Sequence, residues 1–464
     1  MSDPKQLPAA RVVAEWLQTL DPDEIPQAVQ RACTHTLIDT LGLSIAARQT
    51  DYVAALRSAW PSPGPCTVLG CADTREMTGA AMINGTAAHG EDFDTTFEGC
   101  PVHAGAVVVP AVLAAAENWH LSGAQASKGI AVGMEIMSRL GLIAQKGIHT
   151  AGFHPTAVLG TMAATAGVAA AANLPAAATA NAFGIAGSMA SGIIEYLADG
   201  SWTKRMHAGW AAQSGLRAVA MAQAGFTGPA SVFEGSHGLF HGFAPSIDPD
   251  FEILTADLGV QWHTERTAFK PYACGTMTQP FVDCAIQLAQ TLRVRSLRAD
   301  DIATLTCHVG EGTVHRLWEP LALKQRPPNA YAAKFSGPYC VAVGLLHGDA
   351  GLAEFSEAAV RDEAVLKLAE RVGYEIDPDD DYPRNYTGRI IATLSDGRSV
   401  EAYQPHLRGG SRAPLTRDEL VRKCAANIRY GDRDAALTDR LVAFADSLHG
   451  VEAPVSLTAL AADR

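Results

Sequence analysis

The chain has 464 residues, 48% of them hydrophobic and 18% charged, which excludes a disordered protein and exceeds the about 250–300 residues that one core usually serves. A formal charge of −13 offers no Lys/Arg excess for a nucleic-acid surface. Nine scattered cysteines without a C-x-x-C pair read as reduced structural thiols, and Met1-Ser-Asp-Pro-Lys5 leads into no apolar signal core, so a cytoplasmic protein is expected.

From Ala9 to about Gly225 the pattern is helical, with Ala-rich apolar runs at 31–47, 80–89, 105–119, 126–145, 156–172 and 207–225 separated by loops holding Gly, Pro, His and Asp. Residues 155–189 carry no charge, but they are rich in small residues and broken by Asn173, Pro175, Asn181 and Gly184. They read as two closely packed core helices, not a membrane span. After about Trp262 the character changes. Residues 302–309 read as a strand, 358–372 as an amphipathic helix, and 389–394 with 398–403 as a hairpin around Ser395-Asp396-Gly397. Residues 416–449 return to helical periodicity. The expected fold is mainly α: a large all-helical domain from residues 1–262 and 407–464, interrupted by an α+β module at 263–406.

Chemistry-bearing residues collect ahead of the helices. His89-Gly-Glu-Asp92-Phe-Asp94-Thr-Thr96 and Cys100-Pro-Val-His103 lie between two apolar runs, where charges are costly unless they face a cleft. His103 precedes one helix and His154, followed by Pro155, precedes another; helix starts favour anions. Lys204, Arg205 and His207 form a basic knot in an acidic protein, and Lys270 sits among apolar and aromatic residues. The plainer alternatives are that Asp94 or Thr96 caps a helix and that Asp92 pairs with a nearby base. No dinucleotide fingerprint, P-loop or nucleophile elbow is present, and His89, Asp92 and Asp94 follow no recognised metal-ligand spacing, so no metal is expected.

In this order, Leu37-Ile-Asp-Thr-Leu-Gly42, Asn84-Gly85, Asp92-Phe-Asp94, Gly152-Phe-His-Pro155, Lys204-Arg-Met-His207-Ala-Gly209, Lys270-Pro-Tyr272 and Phe335-Ser-Gly-Pro-Tyr339 resemble the MmgE/PrpD family of 2-methylcitrate dehydratases, cis-aconitate decarboxylases and iminodisuccinate epimerases. The resemblance implies a helical domain with an α+β lid, usually a homodimer, and an active site without metal or organic cofactor. Carried over by position, that site contains Asp92, Thr96, His103, His154, Lys204, Lys270 and Tyr339, with Arg205 and His207 adjoining. Tyr339 rests on the resemblance alone. Thr95 and Ala104 depart from the family's usual Asp and Pro, which leaves the substrate open.

The chemistry so implied is proton transfer next to a carboxylate of a small di- or tricarboxylic acid. The cations and helix starts would stabilise charge building on that carboxylate. His103 is the first candidate for the proton-transfer group, oriented or charged by Asp92; His154 or Lys270 would serve the opposite face or the leaving group. The leading reading is a 2-methylcitrate dehydratase-like lyase. The alternatives are an epimerase, a cis-aconitate-type decarboxylase and, from another class, a non-catalytic carboxylate-binding dimer.

Overall fold

The computed structural model describes residues 7–461, so the Met1–Lys5 segment read for a leader lies outside the described residues. Two compact units form, one from the chain up to Ala268 together with the chain from Arg417, the other from Phe269–Thr416.

The first unit is helical. Its centre is the helix Pro155–Ala171, every residue of which is buried; its small, apolar surface has no polar face to turn to solvent. Helices Ala104–Trp119, Gly123–Ala144, Ala176–Met189 and Thr203–Gln223 pack around it. Pro155 supplies a preset φ at the first helical position, and Ser122 with Gln125 closes a capping box on the helix Gly123–Ala144. The charge-free stretch is thus two helices broken at residues 172–175, and no described helix is long and apolar enough to cross a membrane.

One close contact sets up the site. A Cβ on Gly85 would lie 2.8 Å from the Gly209 Cα, and one on Gly209 would lie 2.1 Å from the Met82 carbonyl oxygen. The helices Met77–Gly90 and Thr203–Gln223 therefore meet backbone to backbone. His89 lies one turn beyond Gly85, and His207 two residues before Gly209.

In the second unit a four-stranded sheet runs in the order Val372–Ile376, Ile302–Val309, Gly388–Leu394, Ser399–Gln404, the first pair parallel and the others antiparallel. Burial alternates along Gly388–Leu394, and the helix Gln279–Val294 packs on that strand and on Ser399–Gln404. The hairpin forms around Ser395–Gly397 as read. The helix expected over 358–372 does not: it spans only Glu363–Ala369, because Val372 pairs with Leu305 and the chain leaves as a strand. An available strand partner outweighs helical periodicity there.

Candidate active site

Four histidines from the ends of four helices converge in the first unit. His89 ends the helix Met77–Gly90, His103 is the N-cap of Ala104–Trp119, His154 is the N-cap of Pro155–Ala171, and His207 lies in the opening turns of Thr203–Gln223. The His103 N–H donates to the Thr156 hydroxyl at 3.3 Å, which ties two of these helix starts together. All four side chains are buried. Their rings follow one another: His103 to His89 at 4.8 Å between centroids, His89 stacked on His154 at 5.7 Å, and His154 to His207 at 5.3 Å.

Asp94 anchors one end of this chain. Its Oδ2 lies 2.9 Å from the Nδ1 of His89 and 3.3 Å from the Nδ1 of His103. The Nδ1 of His103 also lies 2.9 Å from the Thr95 carbonyl oxygen. A carbonyl can only accept, so that nitrogen carries the proton, and in the neutral ring the Nε2 of His103 is left with a lone pair. Burial raises the Asp94 carboxyl, but the charge and hydrogen bonds of His103 and His89 outweigh this and hold it well below the usual carboxylate range. His89 is lowered by burial against the opposing pull of Asp94. The Nε2 of His89 and the Oδ1 of Asp94 are buried without a partner, a costly condition that structural clusters avoid.

At the other end, the Nδ1 atoms of His154 and His207 are 3.1 Å apart. Burial, then the charges of His89 and Lys204, lowers His207 to about 4, and burial with its charged neighbours carries His154 well below its ordinary value. Both are neutral near pH 7. In a neutral pair, one ring must hold its proton on Nδ1 and the other on Nε2. The pair therefore offers one Nε2 lone pair and one Nε2–H donor, a base and an acid side by side.

The loop between His89 and Thr96 sorts its carboxylates to different partners. Asp92 adopts a left-handed backbone, φ 56°, and its Oδ2 takes a 3.0 Å hydrogen bond from the Nζ of Lys204. The expected orientation of His103 by Asp92 is thus corrected: Asp94 holds His103, and Asp92 holds Lys204. Arg205 lies 3.9 Å from Glu91 and 4.6 Å over the Tyr52 ring, whose hydroxyl donates to Glu91 at 3.0 Å. Thr96 is no helix cap; it is buried in a short strand, paired with Ala268.

Asp92, Thr96, His103, His154, Lys204, Arg205 and His207 thus all belong to the first unit. Lys270 and Tyr339 belong to the second, and both are buried there. The Tyr339 hydroxyl donates to the Glu354 carbonyl at 2.9 Å and its ring lies 5.9 Å from Phe355, an interior packing position. His89 and Asp94 were absent from the site set drawn from sequence. Their signal was the five-residue spacing across the end of an apolar helix.

His89, Asp94 and His103 are also the three described residues whose donor atoms lie close enough to hold a cation, all within 4.8 Å of one another. Asp92, part of the triplet considered from sequence, is not among them. The Thr95 carbonyl fixes a proton on the Nδ1 of His103, so that ring could approach a cation only through its Nε2. The nine cysteines are free and buried, and burial pushes Cys33, Cys66, Cys100, Cys284 and Cys424 up to about 12. None of these five is an activated thiol.

Residues 11–252 match the model of the MmgE/PrpD N-terminal domain, and residues 272–443 that of the MmgE/PrpD C-terminal domain. A cis-aconitate decarboxylase-like protein of Aspergillus oryzae is 27% identical over 92% of this chain and 93% of its own length. The cis-aconitate decarboxylase of Aspergillus terreus is 28% identical over 89% of this chain and 87% of its own, and that of Homo sapiens 27% identical over 86% and 83%.

Proposed function

The chain belongs to the MmgE/PrpD family, and on that premise we propose that it is a lyase which moves a proton at the carbon next to a carboxylate of a small di- or tricarboxylic acid. The observation that carries this reading is the fixed tautomer of His103, with Nδ1 held by the Thr95 carbonyl and Asp94 and a lone pair left on Nε2.

In the dehydration reading, the Nε2 of His103 takes the proton and the C–H electron pair moves onto the substrate carboxylate. Lys204 and the starts of the helices Ala104–Trp119 and Pro155–Ala171 stabilise that charge. The pair then forms the double bond as the C–O bond breaks, and the Nε2–H of the His154–His207 pair gives its proton to the departing hydroxyl, which leaves as water.

One observation favours a second reading, decarboxylation. Glu91, Asp92 and Asp94 outnumber Lys204 and Arg205, so with neutral histidines the region is negative by one charge. An incoming polycarboxylate then favours a protonated histidine, which would deliver its proton to carbon while the C–C bond breaks and CO2 departs. The names of the relatives agree with this direction. Activity without metal or organic cofactor, a homodimer and the lid role expected for residues 263–406 belong to the same proposal on the family resemblance, and cytoplasmic residence on the scattered cysteines.

The test is a thermal-shift panel of di- and tricarboxylates followed by NMR of each stabilising compound in D2O. Deuterium incorporation or turnover is expected, and water loss or 13C-bicarbonate release separates the two readings. Stabilisation with neither would leave the non-catalytic binding dimer as the better account.

A further inference from the structure

The motif Leu37-Ile-Asp-Thr-Leu-Gly42 contributes no group to the histidine cluster, yet its Asp39 is buried on the helix Gln27–Ala46. The Nζ of Lys423, on the helix Arg417–Tyr430, lies 2.6 Å from the Asp39 Oδ1. The same ammonium donates to the Phe93 carbonyl at 2.8 Å and stands 3.8 Å from the centre of the Phe93 ring. Phe93 lies between Asp92, which holds Lys204, and Asp94, which holds His89 and His103. Gly42, one turn beyond Asp39, makes this approach possible, since a Cβ there would lie 2.9 Å from the Cys424 Sγ.

We propose that Lys423 is a positioning residue for the reaction: with Asp39 as its counter-ion, it clamps the Phe93 backbone and so sets where the Asp92 and Asp94 carboxylates point. A buried ion pair is weak evidence of stability, because two apolar residues often replace it without loss. The third contact is what a purely structural pair would not need. Asp92 holds a left-handed backbone that a loop keeps only when its surroundings fix it, and the Lys423–Phe93 bond fixes the next residue. Sub-ångström placement of this kind governs catalytic geometry, where a shift of about 1 Å costs about 10²-fold in rate.

The inference rests on the proposed lyase reading for its kinetic consequence but not for its structural one, so two readouts keep them apart. Lys423→Met alone strands a buried carboxylate and can fail to fold; the double variant Asp39→Leu/Lys423→Met removes both charges and is the one to measure. Its melting temperature is expected within a few degrees of the parent. Histidine 15N NMR of the parent should show His89 and His103 protonated on Nδ1, and in the folded double variant these signals should move toward the mixed tautomers of a mobile imidazole. On a substrate found by the carboxylate panel, kcat should fall about 10²-fold with KM changed little. Unchanged histidine tautomers in a folded double variant would overturn the positioning role. If the parent turns over no carboxylate, the lyase reading fails while the NMR comparison still decides this one.

Discussion

Two of the charged clusters buried in the first unit are built to opposite rules. In one, Arg139 spends all five N–H groups: on Glu135 at 2.7 Å and on the carbonyls of Ile253, Ala256, Asp257 and Gln261. Glu135 also accepts from the Thr264 N–H and hydroxyl, both at 3.0 Å. In the other, the Nε2 of His89 and the Oδ1 of Asp94 have no partner, and Asp92 sits in a left-handed conformation. Full pairing marks a cluster that holds the chain; unpaired, pKa-shifted groups mark one that keeps its valences for a ligand. Breaking each in turn sharpens the contrast.

The largest effect on stability is expected at the satisfied cluster. Arg139→Met leaves the buried Glu135 carboxylate without its counter-ion and should cost about 3–5 kcal/mol in urea unfolding. A loss below about 1 kcal/mol, typical of an exposed pair, would show that this network bears no such weight.

The next effect belongs to the histidines and depends on pH. His207 is lowered in the folded state from 6.5 to about 4, so as pH falls below about 6.5 the unfolded chain takes the proton first. Its contribution is full above that value and is lost as pH falls toward 4, amounting to up to about 3 kcal/mol at roughly 1.36 kcal/mol per unit. His207→Gln should flatten the stability curve between those limits; a curve of unchanged slope would contradict the buried neutral assignment.

The smallest effect is that of a chelator. Exhaustive EDTA treatment should leave turnover unchanged, because His89, Asp92 and Asp94 follow no recognised metal-ligand spacing. Loss of activity on chelation with recovery on adding a divalent cation would reverse this.

Much of the architecture was legible because small, charge-free residues at helical spacing can only be buried, and because Pro155 and the histidines ahead of apolar runs mark helix starts. The alternation along 388–394 was legible for the same kind of reason. What escaped was set by geometry that no spacing records. The left-handed turn at Asp92 sends carboxylates two residues apart to different partners, so Asp92 was taken as the partner of His103 and Asp94 passed over. Glu135 and Arg139 stand at i and i+4 on an apolar helix, a readable pair, but the loop carbonyls that complete them come from residues more than a hundred positions away. The role of Lys423 was equally hidden, since its contact to Phe93 spans 330 residues.

Turnover by His103→Ala tests the central claim most directly. On a substrate found by the carboxylate panel, kcat should fall about 10²–10⁴-fold in a folded protein, and His103→Gln should restore little, because an amide can hydrogen-bond but cannot titrate near neutrality. His154→Ala in parallel shows whether a second group serves the opposite face. Wild-type kcat with a raised KM in folded His103→Ala would make His103 a binding residue and contradict its place as the proton-transfer group.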